Sequence, residues 1–196
     1  MTSRIGFQPG ASDSRLLSGF PEELLRMASV ETLASNNHHK AVQPAAFHAS
    51  RLSEIFRVLA VDRDRIGQPY ISMVESFEFP VYGIQWHPEK SQFEWGMDAD
   101  GTPYMEINHT VEAIQLSQGL ANFFVSETRR NEHSFPHAAA DWESCMLHNH
   151  EVTPWSRETE QVYFLHFDGN STGLACVARR QDRETQAVDA GSMLMS

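Results

Sequence analysis

Cysteine is nearly missing from this chain: its 196 residues hold two, Cys145 and Cys176. Two thiols are too few for a disulfide framework, and neither has a partner cysteine at metal-ligand spacing, which excludes a stapled mini-domain or a zinc ribbon. One bridge between them stays open. Long apolar runs are missing too. No stretch nears the ~20 residues that cross a bilayer, and the opening MTSRIGFQPGASDS has no apolar centre of the kind a secretory leader carries. Taken literally, the expectation is a cytosolic chain with no membrane partner. Positive charge is scarce, with 15 Lys and Arg against 26 Asp and Glu and a formal net charge of −11. A phosphate backbone recruits the opposite sign, so nucleic acid is not expected as a partner. What is present is enough apolar material, 41% of the residues, for one domain with its own core.

The most informative stretch is PVYGIQWHPEKSQFEW, from Pro80 to Trp95. It predicts a short buried strand over Val81 to Trp86 that stops at His87-Pro88-Glu89. Pro88 has no N–H to continue a ladder and forbids helix at His87. In α/β enzymes chemistry gathers at strand ends. Alternate residues of an extended chain face the same way, so His87 and Glu89 are expected to project together. A carboxylate that pins one ring nitrogen fixes the tautomer and plane of a catalytic imidazole. The plain alternative is two solvated loop residues.

Elsewhere the pattern is mixed. Residues 1–19 are polar and Gly/Ser-rich, an irregular entry. Pro21 followed by Glu22 and Glu23 predicts a short helix to Ala28. A second short helix is expected over Ser50 to Val58, capped by Ser50, with Leu52, Ile55 and Phe56 on one face. Strands are expected at Phe56 to Ala60 and Tyr70 to Glu75, joined by a polar turn as a hairpin. Gly96 to Tyr104 reads as a loop. Asn108 to Arg130 predicts a long helix burying Val111, Ile114, Ala121, Phe124 and Val125 against a sheet. His133, His137, His148 and His150 invite a metal reading, but Pro136 breaks the helical spacing and no acid or Cys completes a set, so no metal is expected. Glu160 to Phe167 predicts a last strand, and 169–196 a polar, disordered tail beyond a domain spanning 1–168. Asn108 and Asn170 stand in N-x-S/T sequons.

VYGIQWHPE followed by a charged residue resembles the signature of class I glutamine amidotransferase-like hydrolases, whose His and Glu complete a Cys-His-Glu triad. The longer PVYGIQWHPEK, with Glu94-Trp95 after it, resembles the γ-glutamyl hydrolases, which trim folate polyglutamates. SRLLSGFPEELLRMASVETLASNNHHK is similar to the same family, and by that likeness His39 is the counterpart of a histidine near the substrate. Here Ala41 stands where many members carry Trp. The alternative is that His38 and His39 are two polar loop residues. The resemblance implies an α/β, flavodoxin-like fold, a γ-glutamyl substrate such as folylpoly-γ-glutamate, no cofactor, and a lysosomal, vacuolar or secreted location.

The likeness spans roughly residues 10 to 168 and corresponds to the C-terminal half of such a hydrolase. It lacks the first strands and the G-x-C-x-G turn that carries the nucleophile. Both cysteines follow His87, and no serine stands in a G-x-S-x-G elbow. The expectation is a truncated form, inactive alone, with an exposed sheet edge that favours aggregation or a homodimer. Two rivals are a non-catalytic remnant that binds a ligand or partner, and a glutamine amidotransferase subunit that feeds ammonia to a synthase.

Overall fold

The computed structural model describes residues 2–103, 105–133, 152–153 and 162–163. In chain order the elements are β1 (Thr2–Ser3), α1 (Glu22–Val30), β2 (Ala34–Ser35), α2 (Pro44–His48), α3 (Leu52–Ile55), β3 (Phe56–Arg63), β4 (Pro69–Ser76), β5 (Tyr82–Ile84), α4 (Lys90–Phe93), α5 (Val111–Thr128), β6 (Val152–Thr153) and β7 (Val162–Tyr163). The described residues are thus mixed α/β, with three small sheets whose strand pairs all run antiparallel. They fall into two compact units. One holds everything described up to Glu132, and the other holds the short β6–β7 ladder.

The first unit is built on the β3-β4-β5 sheet. β3 and β4 pair from Phe56↔Ser76 to Arg63↔Pro69, with a bulge between Val58 and Val61. Beside the bulge the entry segment docks on the outer edge of β3. Gln8 N–H donates to Leu59 O at 2.8 Å, Val61 N–H to Gly6 O at 2.9 Å, and Phe7 bridges Ala60. Gly6 is required there, because a Cβ would collide with the Val61 carbonyl. The segment expected to be an irregular entry therefore protects an edge strand from stray pairing.

The core gathers Ile5, Leu16, Leu17, Leu24, Ala28, Leu59, Met73, Trp86, Leu116 and Leu120. α1 starts where expected, with Pro21 as its cap and acids in its first turn, and buries Leu24 and Ala28 against α5. α5 begins at Thr110, whose hydroxyl accepts the Ala113 N–H at 3.4 Å. Its buried stripe is Ala113, Leu116, Ser117 and Leu120, a run of i, i+3, i+4, i+7. The face expected from apolar spacing is corrected: Val111, Phe124 and Val125 are exposed, at 64%, 66% and 42%. The buried side is the one that α1 and Phe20 cover, the Phe20 ring lying against Gly119 where a Cβ would collide.

Other boundaries also moved. The helix expected over Ser50 to Val58 is four residues long, and its Leu52 and Ile55 are exposed. β3 claims everything from Phe56, since β-branched and aromatic residues gain more from the ladder with β4 than from an isolated helical turn. α2 and α4 were not foreseen. Of the final strand expected at Glu160 to Phe167, the described residues hold Val162–Tyr163. Cys145, Cys176, Asn170, His137, His148, His150 and the tail at 169–196 lie outside the described residues.

Candidate active site

β5 ends at Ile84, and three contacts aim the residues just after it. Gln85 N–H donates to Ser72 O at 2.9 Å, Trp86 buries its ring to 4% exposure, and His87 N–H donates to Ser35 O at 2.8 Å. A buried indole followed by a backbone bond to the end of β2 leaves His87 little freedom of position. Pro88 and Glu89 then form a turn that leads directly into α4, with no capping bond from the Glu89 side chain. The strand is shorter than expected, so it is this turn into a helix, rather than alternation along an extended chain, that brings the two side chains together.

His87 Nδ1 lies 3.0 Å from Glu89 Oε1. A carboxylate accepts only, so Nδ1 carries the proton of the neutral ring and Nε2 keeps its lone pair. Both side chains are solvent-accessible, 38% and 55%, so the pair adds about 1 kcal/mol or less to stability. Its chemical consequence is larger: an oriented imidazole with a free Nε2 can take a proton from a nucleophile and return it to a leaving amine.

Just past Ser35 the chain enters a second polar cluster. Asn36 Nδ2 donates to Ser3 Oγ at 2.8 Å. That orients Asn36 Oδ1 to accept from Tyr70 O–H at 3.3 Å and from His38 Nε2–H at 3.2 Å, and the His38 ring stands edge-on to Tyr70. Burial, and next the charge of Asp62, push the Tyr70 hydroxyl up to about 12, so it remains a neutral donor. His38 and His39 both line a cleft of about 840 Å³ with Asn36, Tyr70 and Arg65. His38 is the better anchored of the two, whereas His39 is exposed.

No family model matches the chain. Over 171 residues, 86% of its length, it is 33% identical to γ-glutamyl hydrolase B of Dictyostelium discoideum, covering 47% of that protein. Over 132 residues it is 38% identical to human γ-glutamyl hydrolase, 67% of this chain and 39% of the human one. It belongs to the γ-glutamyl hydrolase family. Arabidopsis thaliana γ-glutamyl hydrolase 2 is 39% identical over 113 residues, 57% of the chain and 30% of that protein. The chain spans less than half the length of these curated relatives.

In this γ-glutamyl hydrolase family member a third feature escaped the sequence reading. The rings of Trp95 and His109 stack at 3.7 Å and 17°. Trp95 entered only as a mark of resemblance and His109 only as the middle of a sequon, and nothing local signals that residues this far apart would meet. The sequon residue Asn108 has a structural use: its Oδ1 accepts from Thr110 N–H at 2.9 Å and its Nδ2 donates to Thr32 O at 3.0 Å. No helix among the described residues is long and apolar enough to cross a membrane.

Proposed function

We propose that this chain carries the His-Glu portion of a γ-glutamyl hydrolase site, acting on folylpoly-γ-glutamates or similar γ-glutamyl peptides through a Cys-His-Glu mechanism on a partial class I glutamine amidotransferase-like fold. The observation that carries it is the 3.0 Å contact of His87 Nδ1 with Glu89 in a chain that is 33% identical to a γ-glutamyl hydrolase over 86% of its length. In this reading His87 Nε2 takes the thiol proton and the thiolate attacks the γ-carbonyl. His87 then hands the proton to the departing amine, and Glu89 holds the ring through both transfers. His39, beside His38 and Arg65, offers donors to the substrate's carboxylates. The setting is lysosomal, vacuolar or secreted, and the chain's exposed apolar residues favour a homodimer.

The two cysteines of the chain follow His87 in the sequence, the reverse of the order this mechanism uses, so the chain alone is expected to release no glutamate. Incubating the purified chain with folyl-tri-γ-glutamate and following free glutamate tests this. Release by the wild type that disappears in His87→Ala would overturn the expectation of inactivity.

A further inference from the structure

α4 starts directly after the candidate acid and is a single turn. Its own backbone bonds run from Gln92 N–H to Glu89 O at 3.3 Å and from Glu94 N–H to Lys90 O at 3.1 Å. A helix this short does not hold itself, because nucleating a turn costs more than the bonds it closes return. Glu89 depends on it nonetheless. Its side chain is 55% exposed, and among the described residues its carboxylate bonds the His87 ring alone. The direction in which it reaches is therefore set by the backbone of this turn.

Side chains from elsewhere supply what the turn lacks. His109 Nδ1 lies 3.0 Å from Ser91 O. A carbonyl only accepts, so Nδ1 bears the proton and donates it. Trp95 stacks on the His109 ring, and its indole N–H donates to Gln92 O at 3.0 Å. One side chain thus holds both the plane of the imidazole and the far end of the turn. Gln92 Nε2 donates to Ser117 Oγ on α5 at 2.8 Å. Ser91 and Ser117 are buried, where such bonds are not readily exchanged for water.

His109 is itself tied to the segment that places His87. Its neighbour Asn108 donates to Thr32 O at 3.0 Å, and in the same segment Ser35 O accepts the His87 N–H at 2.8 Å. Residues 32–35 therefore hold the ring's backbone directly and the acid's turn through Asn108 and His109. Two solvent-accessible side chains stay in register only when both ends are fixed to one frame, since each otherwise spreads over its rotamers.

We propose that His109 is a positioning residue for the His87–Glu89 pair: its bond to Ser91 O, with the ring plane kept by Trp95, fixes the one-turn helix from which Glu89 reaches His87. This deepens the reading of His87 as base and Glu89 as its orienting acid, and rests on it. His109 acts through Glu89 and not on the reacting bond.

Imidazole nitrogen shifts of the intact chain, at a pH where His87 is neutral, read how far Glu89 draws the proton to Nδ1. His109→Phe keeps a ring against Trp95 and removes the donor. It is expected to lower the ratio of Nδ1–H to Nε2–H on His87 by about 2- to 5-fold, the scale of an exposed pair losing its alignment. His109→Asn puts an amide N–H where Nδ1 stood and should keep the ratio near that of wild type. In a Glu89→Ala background His109→Phe should change nothing further. A purely packing role would leave the ratio unmoved in the folded chain, and that result overturns the proposal, as does an equal change in both backgrounds. Ser117→Ala cuts the second tie on α4, should lower the ratio as well, and decides by the same rule if His109→Phe does not fold. A ratio indifferent to Glu89→Ala would overturn the His87–Glu89 reading and the positioning with it. A response to Glu89→Ala with none to His109→Phe removes the positioning alone.

Discussion

Glu75, at the end of β4, and Glu89, in the turn that follows β5, live in opposite surroundings. Glu75 is buried to 4% exposure. Its Oε2 accepts Leu16 N–H at 2.9 Å, and its Oε1 accepts Arg57 at 3.1 Å and Arg15 N–H at 3.3 Å. Arg15 also reaches the Ser76 and Phe79 carbonyls and lies over the Tyr82 ring. Every oxygen of Glu75 is occupied by chain that is distant in sequence. Glu89 has one imidazole, two residues away, and water. The contrast separates a carboxylate that holds the fold from one that holds a reactive ring: the first is saturated, the second must leave its partner's other nitrogen open.

The sharpest way to break that comparison is to delete the saturated acid. Glu75→Ala strands two backbone donors and takes the partner from Arg57, whose side chain is 38% exposed, and is expected to lower stability by about 2–3 kcal/mol. Urea unfolding read as a midpoint shift at constant slope measures it. A loss below about 1 kcal/mol would mean that water replaces the carboxylate and that the two acids do not differ in kind.

Asp62 extends the contrast as a buried acid with no ion-pair partner among the described residues. It is 4% exposed and its Oδ1 accepts Gly6 N–H at 2.7 Å. Burial raises its carboxyl above the usual range, opposed chiefly by the Gly6 hydrogen bond. A folded-state value above the unfolded one means that the folded chain binds the proton more tightly. The contribution to stability is full below the unfolded value and is lost as pH rises through the raised folded value. Asp62→Asn keeps an acceptor for Gly6 and removes the titration, so it should stabilise the chain at neutral pH, with the advantage shrinking as pH falls through the raised value and gone below the ordinary aspartate range. Unfolding curves across that window check it. An advantage that grows on acidification would reverse the assignment.

How much of this was legible in the sequence depends on how local each cause is. The His87-Pro88-Glu89 turn, the Pro21 start of α1 and the β3–β4 hairpin arise from neighbours along the chain, and their residues stand where the pattern put them within a few positions. What was misread is decided at a distance. Apolar spacing in α5 favoured Val111, Phe124 and Val125. The buried stripe instead runs through Ala113, Leu116, Ser117 and Leu120, because the side covered by Phe20 and α1 is set by those distant segments and not by the helix's own apolar count. Glu75 and the Trp95–His109 stack were invisible for the same reason: their partners come from other segments, and no spacing rule links them.

The smallest effect on the fold tests the most about the site. Glu89→Gln removes a charge from an exposed pair, so stability should move by less than about 1 kcal/mol. The ring should respond more than the fold does. A free neutral imidazole favours its proton on Nε2, and the carboxylate at 3.0 Å is what draws it to Nδ1. An amide is a weaker acceptor and can turn its NH₂ toward the ring, which would demand the opposite tautomer. Imidazole nitrogen shifts at a pH where His87 is neutral should therefore show Nδ1–H in wild type and a mixture shifted toward Nε2–H in Glu89→Gln, with Glu89→Ala further along the same path. Identical tautomers in all three would show that the backbone bond to Ser35 and the buried Trp86 place the ring without help, and Glu89 would then be a turn residue beside a histidine rather than the group that prepares it.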